Sequence, residues 1–271
     1  MKFEEITFAK PDTPFKLCTT TFIHPADWVT NARALGRCFD ELELLLFESS
    51  HHDSLPDPAV IEALATLAAE LDFTWNIHLP IDIHPGHPDR KVRRRAADII
   101  LRVIELTAPL NPSTSTLHLP GITGDPKAPV LSNWRERLRE TLKIVTGSGI
   151  PSRSLSIENI TDYPLEMALP LIEEFDLEIC LDIGHLVVRG DSIASAFELF
   201  GDRISILHIH GVEDGRDHRS LDRLPAEILA SLFEELKKFR GVVSLEVFSH
   251  EKLIDSVNCF RKEYRFFQKS N

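Results

Sequence analysis

Residues 57–79 read DPAVIEALATLAAELDFTWNIHL, and their change of period decides the fold. Asp57 can cap a helix and Pro58 suits a first helical turn. Ile61, Leu64, Leu67, Ala68 and Leu71 then recur on one helical face. From Thr74 the period becomes two. Thr74, Asn76 and His78 share one face of a strand, and Trp75, Ile77 and Leu79 share the other.

The same alternation of helix and strand runs outward in both directions. Strands are expected at Lys16–Phe22, Glu41–Phe47, Thr74–Leu79, Thr114–Leu119, Ser154–Glu158, Glu178–Ile183, Ile204–Ile209 and Val242–Val247. Helical periodicity marks Asp27–Cys38, Asp89–Thr107, Ala128–Val145, Leu165–Phe175, Ser192–Phe200, Ala226–Phe239 and Lys252–Phe267 as well as the segment after Asp57. Parallel strands need crossovers of a dozen or more residues, which helices supply. Eight such units make the expected fold an α/β (β/α)8 TIM barrel, one domain over residues 1–271. An open doubly wound sheet lacks its phosphate-binding fingerprint. The nearest match, Gly147–Ser152, has no third glycine and follows a helix.

Composition narrows the function. The chain has 271 residues, 43% apolar and 27% charged, with 30 Lys+Arg against 42 Asp+Glu for a net charge of −12. Such a surface repels phosphate backbones, so nucleic acid is not an expected partner. Cys18, Cys38, Cys180 and Cys259 are scattered with no CxxC pair, which points to a reduced, cytoplasmic setting without disulfides. The N-terminal MKFEEITFAK carries acids where a signal peptide needs an apolar stretch, and no apolar run approaches the roughly 20 residues that span a bilayer. No membrane association is expected.

Strand parity points to a site. One face of each of five strands is large and apolar, fit to lie under helices. The other is small or polar and ends in a residue able to bind metal: His78, His118, Glu158, Asp182 and Glu246. The seventh strand adds His208. In a barrel these strand ends meet at one mouth. Burying several carboxylates together without a cation is costly, so three acids and three histidines at equivalent positions point to divalent metal ions. His185 and His218 follow in loops. His210 is expected behind the ligands or facing substrate. His24, His84 and His87 read as solvent-exposed loop histidines, and Arg90–Arg95 as a solvated helix face.

Other chemistries lack their residues. No lysine ends a strand for a Schiff base. His250-Glu251 is followed by Lys-Leu-Ile, which is not a metalloprotease motif, and no GxxxxGK[ST] loop is present.

The ordered segments NIHLP, TLHLP, SIEN, LDIGH, LHIHG…DHRSL and SLEVF resemble the xylose-isomerase-like TIM barrels, which include sugar isomerases and epimerases and endonuclease-IV-type phosphodiesterases. Within them, DELELLLFES, NIHLPIDI, CLDIGHL, ILHIHGVEDGRDHRSLDRL and GVVSLEVFS look most like the cobamide-remodelling phosphodiesterases, the CbiR family. That resemblance implies a metal-dependent hydrolase cleaving the phosphoribosyl linkage in the nucleotide loop of a cobamide. It implies two or three divalent ions, zinc or manganese, on His78, His118, Glu158, Asp182, His185, His208, His218 and Glu246. Glu158, Glu246 and His210 are then the expected catalytic residues. One departure stands out: Arg216 occupies the place of an aspartate in the endonuclease pattern, with Asp217 one residue away. The alternative reading is a one-metal sugar or sugar-phosphate isomerase or epimerase, in which Glu158 and Glu246 move a proton. A third reading is a corrinoid or metal carrier without catalysis.

Overall fold

The computed structural model describes residues 8, 10, 12–50 and 54–269. Its strands are β1 (Lys16–Thr20), β2 (Glu41–Leu45), β3 (Thr74–His78), β4 (Ser115–Leu117), β5 (Leu155–Glu158), β6 (Glu178–Asp182), β7 (Ile204–Ile209), β8 (Gly211–Glu213), β9 (Arg216–Arg219) and β10 (Val242–Leu245). Eight of them, all but β8 and β9, close into a parallel barrel because β10 pairs with both β1 and β7. The expected (β/α)8 barrel is the fold observed. β8 and β9 form a separate antiparallel hairpin.

Helices α1 (Trp28–Leu35), α2 (Pro58–Leu71), α3 (Arg90–Thr107), α4 (Ala128–Thr146), α5 (Leu169–Glu174), α6 (Ile183–Arg189), α7 (Ile193–Phe200), α8 (Ala226–Leu236) and α9 (His250–Lys269) connect the strands. Asp27, Asp57, Asp89 and Ser192 each accept a backbone N–H of the following first turn, so these starts follow from capping chemistry. The expected helix Leu165–Phe175 is instead a 3-10 turn, Leu165–Met167, followed by the short α5. Pro170 explains the break: it has no N–H to donate back and its ring crowds the preceding turn. The expected strand through Ile183 stops at Asp182, whose carboxylate caps α6 by accepting from the His185 N–H at 2.7 Å.

Two separate apolar layers hold the barrel. Leu42, Leu44, Trp75, Ile77, Leu117, Ile157, Leu181, Leu207 and Leu245 lie in the large core beneath the helices. Fully burying such side chains stabilises by about 1.5–3 kcal/mol each. Inside the barrel, Cys18, Cys180, Ile206 and Val242 form a small second cluster. Glu41 is buried at the N-terminal end, where it accepts from Lys16 Nζ at 3.0 Å, Thr74 Oγ1 at 2.6 Å and Asn76 Nδ2 at 3.0 Å. The polar, wide end is left at the opposite mouth. All four cysteines are free thiols. Among the described residues no helix is long and apolar enough to cross a membrane.

Candidate active site

Every side chain singled out at the strand ends reaches one mouth. Glu158, at the end of β5, is the hub. His78 Nε2 stands 3.1 Å and His118 Nε2 2.8 Å from Glu158 Oε2. Its other oxygen, Oε1, faces His208 Nδ1 at 3.5 Å and His185 Nδ1 at 3.7 Å. His208 Nδ1 also lies 3.2 Å from Glu246 Oε2. Ligand atoms of Glu158, Asp182, His208 and Glu246 all fall within 4.8 Å of one another, and all four residues are buried. Glu246 follows β10 and is kept in register by its N–H, which donates to Ile209 O at 3.2 Å.

Asn159 locks the neighbouring strand. Its Nδ2 donates to Asp182 O at 2.8 Å, and its Oδ1 accepts the Asp182 N–H at 2.6 Å. The Asn of SIEN therefore sets the height of Asp182 beside Glu158.

His185 and His218 are not in loops as expected. His185 lies in the first turn of α6, and His218 on β9 of the hairpin. Asp214 and Gly215 both have positive φ, 53° and 71°, which suits the two-residue hairpin turn. His218 also has φ 51°, a left-handed conformation uncommon outside glycine. It turns the ring towards the mouth, with Nε2 3.4 Å from Glu246 Oε2. Asp217 joins this group: Oδ2 is 3.6 Å from His185 Nε2 and Oδ1 is 3.1 Å from His218 Nδ1. Arg216 lies exposed on the same strand.

His210 sits behind the ligands. Its Nε2 is 3.0 Å from Asp182 Oδ2, and its Nδ1 accepts the His218 backbone N–H at 3.0 Å. These two bonds are satisfied together by the tautomer with the proton on Nε2. Of the remaining histidines, His84 is exposed and His87 half-buried. His24 is 5% exposed and stacks on His250 at 5.5 Å, which corrects the expectation that it faces solvent. In the basic run Arg93 is buried, donating to His87 O and Pro88 O, while Arg90, Lys91, Arg94 and Arg95 are exposed.

Sequence reading missed Glu43. It is fully buried on β2, with Oε2 3.4 Å from His208 Nε2 and 2.7 Å from Ser244 Oγ. The signal was present: Glu41, Leu42, Glu43 and Leu44 alternate as strictly as the five strands that were singled out. An aromatic wall was also missed. Phe22, Phe47 and Phe248 meet edge to face, and the His218 ring stacks on Phe248 at 4.8 Å between centroids. Phe22 and Phe47 also line a cavity of about 420 Å³ with Leu45 and Trp28.

The electrostatics ask for a cation. Burial alone would raise the Glu158 pKa, yet His118 and His208 hold it well below the usual carboxylate range; His208 and His218 do the same for Glu246. Burial would lower His208, but the surrounding acids Glu43, Glu246 and Glu158, with the Cys180 thiol, raise it well above the ordinary value. Among the described residues, His208 Nδ1, His208 Nε2, Glu246 Oε2 and Glu43 Oε1 are buried with no hydrogen-bond partner. Such orphaned atoms are rare in folded proteins. The mixed nitrogen and oxygen donors that converge here, His208 and Glu246 with Glu158 and Asp182, fit a divalent cation.

A family model described as xylose isomerase-like TIM barrel matches residues 29–269. No curated protein matches the chain in sequence. Among solved structures, a D-tagatose 3-epimerase-like protein superposes with TM-score 0.76 at 19% identity, covering 94% of this chain and 99% of that one. An L-ribulose 3-epimerase gives 0.70 at 16%, covering 94% and 96%. A 3-keto-D-glucoside 4-epimerase from E. coli gives 0.66 at 17%, covering 94% and 99%. At these identities the likeness carries the fold.

These similar structures overturn the expected hydrolase, because they are described as epimerases or epimerase-like. Neither the phosphodiesterase nor the cobamide substrate is retained. The physical reason lies in the additional histidines on which that expectation rested. Those are His78, His118, His185 and His218: His78 and His118 both hold Glu158 through its Oε2, and His185 Nδ1 is 2.9 Å from Asn159 O. A count of histidines along the strands does not separate ligands from side chains that orient other groups.

Proposed function

This chain belongs to the xylose isomerase-like TIM barrel family, and on that premise we propose that it is a divalent-metal-dependent isomerase or epimerase of a sugar or sugar derivative. The observation that carries the reading is the buried group Glu158, Asp182, His208 and Glu246, with ligand atoms within 4.8 Å of one another. Three carboxylates and one imidazole suit Mn²⁺, and one ion per chain is the expected load.

When bound, such a cation polarises a carbonyl and its neighbouring hydroxyl, which acidifies the C–H between them. Glu246 and Glu158 approach the centre from β10 and β5, on different sides of the barrel mouth. One removes the proton from the carbon beside the carbonyl. The other returns a proton to the opposite face of that carbon, which inverts it. His78 and His118 hold Glu158 through its Oε2. His185 and His218, tied by Asp217, offer donors to substrate hydroxyls. The Phe22–Phe47–Phe248 wall takes the apolar C–H face of the sugar ring or chain.

The test is incubation of Mn²⁺-loaded protein with a panel of ketohexoses and keto-sugar glycosides in D2O. Deuterium entering at the carbon next to the carbonyl, with the epimer appearing by chromatography, is the expected result. No exchange with any member of the panel counts against the reading.

A further inference from the structure

We propose that Glu43 is a positioning residue for metal binding: it holds the His208 imidazole so that Nδ1 faces Glu158 and Glu246. The inference deepens the reading of the metal centre and rests on it. The His208 ring lies between two sets of acids. On one edge, Nδ1 is 3.2 Å from Glu246 Oε2 and 3.5 Å from Glu158 Oε1. On the opposite edge, Nε2 is 3.4 Å from Glu43 Oε2. The ring plane is limited by His78, stacked at 5.9 Å.

Glu43 is itself held. It lies on β2, two residues from the Glu41 that anchors the barrel's other end. Ser244, which β10 pairs with His208, donates from Oγ to Glu43 Oε2 at 2.7 Å. A neutral imidazole has one N–H and one lone pair, and a carboxylate can only accept. The Glu43 carboxylate, 3.4 Å from Nε2, favours the tautomer with the proton on that nitrogen, which presents the lone pair at Nδ1, where Glu158 and Glu246 converge. A carboxylate facing the far nitrogen of a ligating histidine biases its tautomer and strengthens it as a ligand.

The experiment is calorimetric titration with Mn²⁺ alone. Glu43→Met keeps the side-chain volume and removes the acceptor, and it is expected to weaken Mn²⁺ binding about 10- to 100-fold. Glu43→Gln, which keeps an acceptor oxygen, should recover most of that loss. In a His208→Gln background, Glu43→Met should add less than about twofold, because its effect passes through His208. Binding by Glu43→Met within about twofold of wild type, or an undiminished loss in the His208→Gln background, overturns the proposal. Should Glu43→Met not fold, the proton-coupled ¹⁵N spectrum of Zn²⁺-loaded wild type decides, with His208 assigned through His208→Gln. A proton on Nε2 supports the proposal and a proton on Nδ1 overturns it. The metal-centre reading fails separately, if wild type takes up no Mn²⁺ or His208→Gln binds it unchanged.

Discussion

A Cβ placed on Gly184 would stand 1.9 Å from Cε1 of His210 and 2.3 Å from its Nδ1. The first turn of α6 can pass over the imidazole only because residue 184 has no side chain. His210 in turn reaches Asp182 Oδ2 at 3.0 Å, so a backbone position sets the orientation of a proposed metal ligand.

Gly184→Ala is therefore expected to act at a distance of one side chain. Forcing a methyl into this contact destabilises by about 1–3 kcal/mol, measured by urea unfolding of the metal-free protein. It should also weaken Mn²⁺ binding, because the displaced ring leaves Asp182. An alanine variant with unchanged unfolding midpoint and unchanged affinity would show that the ring moves aside freely.

Glu158 and Glu246 are proposed both to hold the cation and to move the proton, so their variants are assayed in a large excess of Mn²⁺. Glu246→Gln and Glu158→Gln keep the shape of the site and remove a group able to accept a proton. Each is expected to lower kcat about 10²- to 10⁴-fold, with deuterium exchange from D2O lost in parallel. Circular dichroism should be unchanged, because each residue stands at a strand end outside the large apolar core. Wild-type exchange by both variants would remove these two acids from the mechanism.

Cation binding should be visible as stability. A ligand at 100 times its Kd that binds only the folded chain adds about 2.7 kcal/mol. Mn²⁺ at such an excess is expected to raise the melting temperature, and a chelator to reverse the gain. Elemental analysis should return one ion per chain. A load of two would place a second cation in the His78–His118–Glu158 group, where three ligand atoms also lie within 4.8 Å.

Much of this site was legible because the barrel ties residue parity to direction. His78, Glu158, Asp182 and His208 could be placed at one mouth from strand alternation alone, and the structure brings them together. What was not legible came from contacts between elements. Asp182 ends its strand by capping α6, which moves His185 from a loop onto a helix. The Asp214–Gly215 turn folds a polar stretch back into a hairpin and sets His218 beside Phe248. Glu43 could have been placed by alternation, but its partners Ser244 and His208 lie on other strands. The reaction was the least legible feature, since one set of strand-end acids and histidines serves more than one chemistry.

The last prediction concerns pH. In the metal-free protein, burial pulls His185 and His218 down, but Asp182, Asp217 and Glu158 raise His185 to about 10, and Glu246, Asp182 and Asp217 raise His218 to about 9. A histidine with a raised folded pKa contributes its full stabilisation below the unfolded value of about 6.5. That contribution is lost as pH rises through the folded value. Glu158 and Glu246, held low, contribute above the unfolded carboxylate value of about 4.3 and lose it only in stronger acid. Stability of the metal-free protein should thus fall steadily from pH 6.5 towards pH 9. A cation on Glu158, Asp182, His208 and Glu246 is disfavoured by the nearby protonated His185 and His218. It also displaces any proton on His208, which the surrounding acids hold above its ordinary value, so binding tightens as pH rises. Melting temperatures taken between pH 6.5 and 8.5 should fall without Mn²⁺, and the increment produced by Mn²⁺ should grow. A metal-free melting temperature that rises over this interval would mean that the acids around these histidines do not hold their protons.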